Sequence, residues 1–225
     1  MYDTIGQLGL VFFGTVTASI SHELKNRLAV IKEHAGLLND FMVMAAQGRQ
    51  LDIDRIQKLA DALSKQVELS DAIIKNMNRF AHSTDEIKRE IDIGEVIQLV
   101  VALSKRSAEM HRVRLKISDS IHCHTVTTIP FLLMNLLWTC IDVLVNTADG
   151  DGTIEFAVQK VPEERFLILM AMDWPAPQVH TAVITEMIRV LAEAIGARVF
   201  IKQEEMVLAV DLPPAQANPH ASDSL

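Results

Sequence analysis

Cysteine is nearly absent from this chain. Cys123 and Cys140 are the two in 225 residues, and no CxxC pair exists. A disulfide framework and a thiolate zinc module are therefore excluded, and a reduced, cytoplasmic compartment is expected. Basic charge is also scarce. Lys and Arg number 21 against 29 Asp and Glu, a formal net charge of −8, which argues against a general nucleic-acid binder. No Lys or Arg precedes Lys25, so the basic start of a signal peptide is missing. The apolar run Leu8–Ile20, "LGLVFFGTVTASI", falls short of the ~20 residues that cross a bilayer. The expectation is a soluble protein with no membrane segment, served by sensing on another chain. What is plentiful is apolar residue content, 49% with 22% charged, which is that of a folded protein with a sizeable core.

Proline is absent from Thr4 to about Gly48, and apolar residues recur there on one helical face: Ile20, Leu24, Arg27/Leu28, Ile31, Ala35 and Leu38. "QGRQLDID" interrupts the pattern, with Asp52 or Asp54 placed to cap a second helix. The run from Ile53 to about Ser83 steps by three and four through Ile53, Ile56, Ala60, Leu63, Val67, Ser70, Ile74, Met77 and Ala81. Two such helices make an antiparallel hairpin. A lone hairpin leaves half its stripe uncovered, so two copies are expected to pair as a homodimeric four-helix bundle. Packing of the stripe on the C-terminal half is the alternative.

After the charged linker "HSTDEIKRE" the pattern changes. A helix is expected from Ile93 to about His111, a strand at "RVRLKIS" and an apolar helix opened near Pro130. Hairpins come next at "GTIEFAVQKV"–"RFLILMAMD" and "RVFIKQ"–"MVLAVDL", separated by the helix "HTAVITEMIRVLAEAIGA" that Gly196 ends. The expected division is a helical hairpin at 1–85, a layer of helices on a mostly antiparallel sheet at 91–212, and a disordered tail at 213–225.

One motif carries chemistry. "SISHELKNRLAVIKEHAGLL" places His22 two residues after Ile20 and two before Leu24, hence away from the seam. A neutral imidazole with an unperturbed pKa of ~6.5 is a competent nucleophile near neutral pH. With the hairpin and the α/β half, this motif resembles the transmitter of a two-component sensor histidine kinase over about Gly14 to Leu212. The resemblance implies that His22 is the phospho-acceptor and that Glu23 orients its ring or takes its proton. It also implies that Asn26 positions a water for dephosphorylation and that receiver domains of response regulators are the partners. Lys25 and Arg27 could offer positive charge to a phosphoryl group or a partner, or be solvated face. Phe80 is expected across from His22 on the second helix as a docking contact.

The α/β half departs from the family at its nucleotide site. Asn135 is kept in "MNLLWTCIDVL", but Thr139 stands where a magnesium-binding asparagine belongs, and a hydroxyl is the poorer ligand. Asp173 is in register for the adenine contact, yet Trp174, Pro175 and Pro177 replace the glycines of the expected Asp-x-Gly-x-Gly turn. From Asp173 to a helix beginning near Val179 there is no room for a lid or a second glycine-rich loop. The fold expected is thus a two-helix hairpin followed by a degenerate kinase-type α/β sandwich without a lid, with binding of ATP and Mg lost. A stand-alone histidine phosphotransferase fits best. An autokinase with an atypical ATP site and a non-catalytic adaptor are the alternatives. His122, Cys123 and His124 alternate on a short expected strand and lack further ligands, so no metal is expected there. Cys140, Phe131, Trp138 and the methionines, among them Met42, Met44, Met170 and Met172, read as core filling.

Overall fold

The computed structural model describes residues 2–119, 121, 123–148, 150–174, 184–202 and 205–214. Two units divide the chain: Gly14–Arg79, and Met1–Phe13 together with Phe80–Leu225. The expected boundary at residue 85 therefore differs from the observed one, because the first turns of the first helix and the end of the second belong with the α/β layer.

In the first unit two helices run antiparallel. Helix α1 spans Tyr2–Ala46 and α2 spans Ile53–Ala81. Gly48, at φ +79°, supplies the left-handed residue that ends α1. Asp52 accepts the backbone N–H of Arg55 at 3.1 Å, which makes it the cap of α2. The inner seam is formed by half-buried Leu24, Ile31 and Leu38 on α1 and Ile56, Leu59, Leu63, Leu69 and Ile73 on α2. Part of the expected stripe lies outside it: Ile53, Val67 and Ile74 are exposed. Met42 and Met44, expected as core, are exposed too.

The second unit orders its elements as β1 (Arg89–Asp92), α3 (Ile93–Met110), β2 (Val113–Ile117), β3 (Thr125–Thr128) and α4 (Pro130–Thr147). These are followed by β4 (Gly152–Val161), β5 (Arg165–Met172), α5 (Glu186–Ala194), β6 (Arg198–Lys202) and β7 (Val207–Leu212). Five strands form one sheet in the order β2-β4-β5-β7-β6, with β2 parallel to β4 and the other pairs antiparallel. Helix α4 is the centre of the core: Leu133, Leu136, Leu137, Cys140, Ile141 and Leu144 are each 1% exposed or less. They share that burial with Ile154 and Phe156 of β4, Ile168 and Met170 of β5, and Leu208, Val210 and Leu212 of β7. Met170 and Met172 are core, as expected.

Three expectations need correction. The end of the "charged linker", Arg89 and Glu90, opens β1, which pairs antiparallel with β3; Ile91, flanked by Glu90 and Asp92, is the buried residue of that strand. Cys123 and His124 precede β3 and are not in a strand, while His122 lies outside the described residues. The last helix starts at Glu186, not near Val179. Thr185 is its cap, its hydroxyl accepting from the N–H of Ile188 at 3.3 Å. The connection from Asp173 contains no glycine, and Pro175, Pro177 and Val179 lie outside the described residues. So do residues 215–225 of the expected tail.

Within this unit, Phe12 of α1 packs edge-on against Phe80 of α2, with ring centroids 5.3 Å apart, and against Phe131 and Trp138 of α4 at 5.5 and 5.4 Å. Gly9 admits the Phe131 ring, since a Cβ there would lie 3.1 Å from it. The α1 window near the chain start is long and apolar enough to cross a membrane, contrary to the expectation, which counted only Leu8–Ile20. Helix α4 passes the same test but is a buried core helix.

Candidate functional site

His22 sits mid-helix on α1, in a stretch free of proline and glycine from Thr15 to Ala35. Each residue advances a helix by about 100°, so His22 lies about 200° from Ile20. Ile20 is 6% exposed, Leu24 is half-buried and His22 is exposed. Asn26, four residues on, shares the face of His22 and is exposed, as is Lys25. An imidazole and a carboxamide one turn apart on a solvated helix face are accessible to another protein's reactive group.

Glu23 and Arg27 behave differently. Both are half-buried, and Arg27 Nη2 lies 3.5 Å from Glu23 Oε1. Arg27 Nη1 donates to Gln66 Oε1 of α2 at 3.3 Å, while its Nε is buried with no partner. Arg27 thus turns into the seam and is not the outward cation expected beside His22. Gln66 was not singled out by the sequence pattern, although it stands three residues after Leu63 and four before Ser70, a seam position holding a polar residue.

Phe80 is a second correction. At 1% exposure, with Phe12 and Phe13 rings 5.3 and 5.4 Å away, it is core and not a docking contact. Register explains the miss. Arg27 faces Gln66, which puts residues near 71 level with His22 and leaves Phe80 about 13 Å further along at ~1.5 Å per residue.

The remnant nucleotide positions are occupied by internal contacts. Asn135 and Thr139 are 2% and 1% exposed, and the Thr139 hydroxyl donates to Asn135 Oδ1 at 3.4 Å. Asn135 Nδ2 is buried without a partner. Asp173, at the end of β5, accepts the backbone N–H of Thr153 at 2.7 Å, and this bond holds its carboxyl below the usual range. Trp174 beside it is 9% exposed and lies against Gly152. A Cβ at 152 would stand 2.5 Å from the indole. The indole Nε1 is buried with no partner. The side-chain oxygens of Asn135 and Thr139 thus meet each other in the buried core.

Cys123 and Cys140 are free thiols. Burial pushes Cys140 up to about 12, and a hydrogen bond to Asp92 raises Cys123. Among the described residues, no group of three or more His, Cys, Asp or Glu side chains is placed to hold a metal ion.

No protein-family model matches the sequence, and no curated protein does. Solved structures similar to the chain include the catalytic domain of histidine kinase ThkA, at 11% identity over 58% of this chain and 99% of that one, TM-score 0.49. The Acinetobacter baumannii histidine kinase AdeS aligns at 10% identity over 87% and 98%, TM-score 0.46. A bacterial phosphotransferase aligns at 13% identity over 88% and 94%, TM-score 0.46. At these TM-scores the likenesses carry no weight for the function.

Proposed function

We propose that this chain is a phosphohistidine relay protein, in which His22 exchanges a phosphoryl group with the aspartates of receiver domains. The observation that carries the reading is the exposure of His22 and Asn26 on one face of α1, in the sequence "SHELKN", opposite buried Ile20. An imidazole on a rigid helix keeps its reactive nitrogen in solvent, where an acyl phosphate on another protein can reach it. Glu23 takes or shares the proton of the second ring nitrogen, and Asn26 orients water when the phosphoryl group is released. Lys25 lies on the exposed side and meets the incoming partner.

The α/β unit acts as scaffold and not as an ATP-dependent engine. Supporting this are the mutual hydrogen bond of Asn135 and Thr139, the tie of Asp173 to Thr153 and the indole of Trp174 packed on Gly152. The working form is a homodimer in the cytoplasm. The support is a row of exposed apolar residues at heptad spacing: Ile53, Val67 and Ile74 on α2, with Leu28 and Met42 on α1.

The deciding experiment titrates the purified protein with Mg-ATP and then follows phosphorylation of His22 in the same preparation. The expected result is no binding up to millimolar ATP, with His22 labelled when a phosphorylated receiver is added. ATP binding with autophosphorylation would make the chain a kinase; no labelling from any receiver would leave an adaptor.

A further inference from the structure

The hairpin seam holds one charged cluster that packing alone does not explain. Arg27 stands where heptad spacing favours an apolar side chain, and its Nε is buried without a partner, a desolvation cost that Leu or Met would avoid. What the arginine does instead is join two groups. Nη2 lies 3.5 Å from Glu23 Oε1 on its own helix, and Nη1 donates to Gln66 Oε1 on the other. The Glu23 and Arg27 side chains are 35% and 33% exposed, so the pair is shielded more than an ordinary i,i+4 pair on a solvated face.

We infer that Arg27 is a positioning residue: it clasps the Glu23 carboxylate and ties it to Gln66, so that the group beside His22 is fixed by both helices. The inference rests on the reading of His22 as phospho-acceptor. In that transfer a ring nitrogen of neutral His22 attacks the phosphorus of an aspartyl phosphate. The P–N bond forms as the P–O bond breaks, and the aspartate leaves as a carboxylate. The proton on the other ring nitrogen stays on the resulting imidazolium or passes to Glu23. Arg27 touches neither the phosphoryl group nor His22. It holds the Glu23 carboxylate at one place, and because Gln66 belongs to α2, sliding of one helix along the other is felt at Glu23.

The test is a double-mutant cycle on the full chain with R27M, E23Q and R27M/E23Q. Met fills the seam, and circular dichroism melts report any loss of fold separately. Phosphoramidate serves as the phosphoryl donor, so no receiver need be known, and His22 labelling is followed by phosphorus NMR from pH 5.5 to 8.5. R27M is expected to slow labelling about tenfold, as is E23Q, with the double variant no slower than E23Q. Equal slowing by R27M in both backgrounds, or a lowered melting temperature with an unchanged rate, would overturn the clasp. The His22 ring titration is followed by NMR in parallel. R27M should move its midpoint more when Glu23 is present than in the E23Q background, and equal shifts would also overturn the clasp. If wild-type His22 takes no label while the ring titration shows the coupling, the acceptor reading fails and the clasp stands.

Discussion

Gly152 opens β4 with the indole of Trp174 lying on its Cα, which leaves no space for a methyl group. G152A is expected to destabilise the α/β unit by about 1–3 kcal/mol through overpacking. G152A/W174L should recover much of that, as read by urea unfolding. Asp92 is a second residue whose environment sets a measurable property. Burial opposes its charge, but bonds from Cys123 and from the N–H groups of Glu95 and Gly94 outweigh it and lower its pKa. A depressed carboxyl contributes stability above its unfolded pKa of ~3.9 and loses it as pH falls through the folded value. The same charge holds the Cys123 thiol up. D92N, which retains a capping side chain, should therefore speed Cys123 alkylation at pH 8 several-fold. Cys140 should stay unmodified until the protein is unfolded. At this scale the sequence is most legible where the neighbours are local. His22 and Asn26 fall on one face by helix geometry alone. The direction of Arg27 and the burial of Phe80 depend on a partner 39 residues away and on rings of a different helix, which no local pattern encodes.

Among the elements, α1 and α2 can be drawn to within about two residues at each end from the sequence, because long 3.6-residue periodicity without proline leaves little choice. What the periodicity conceals is that the α2 stripe splits in two. Ile56, Leu63 and Ser70 turn toward α1, whereas Ile53, Val67 and Ile74 remain exposed at 69%, 56% and 42%. Leu28 and Met42 stand exposed on α1. V67E and L28E are expected to convert a dimer to a monomer in sedimentation velocity without loss of helix content, since each puts a charge on an already solvated position of the single chain. A dimer that survives both would place the interface elsewhere. Strand β1 escapes a sequence reading because its four residues "REID" carry three charges and one inward apolar side chain. Pairing with β3, not propensity, makes it a strand. Helix α5 opens at Glu186 because the Thr185 side chain caps it there.

For the molecule as a whole, the mixed sheet and its helices are legible from alternation and turn signals. The division of the chain is not, because it rests on aromatic contacts between residues far apart in sequence. F80A should cost about 3–5 kcal/mol, the usual range for a buried phenylalanine. The loss should appear in unfolding of the α/β unit, since Phe80 groups with Phe12, Phe131 and Trp138. That grouping also constrains how such a chain can be recombined. A single crossover near residue 85 between two related parents would pair Phe12 and Phe80 from one with Phe131 and Trp138 from the other, mixing two halves of one aromatic cluster. Crossovers at 13/14 and 79/80 keep each cluster in its own parentage. The segment Gly14–Arg79 would thus travel between relatives as an inserted cassette, joined to the rest of the chain at two points and not one.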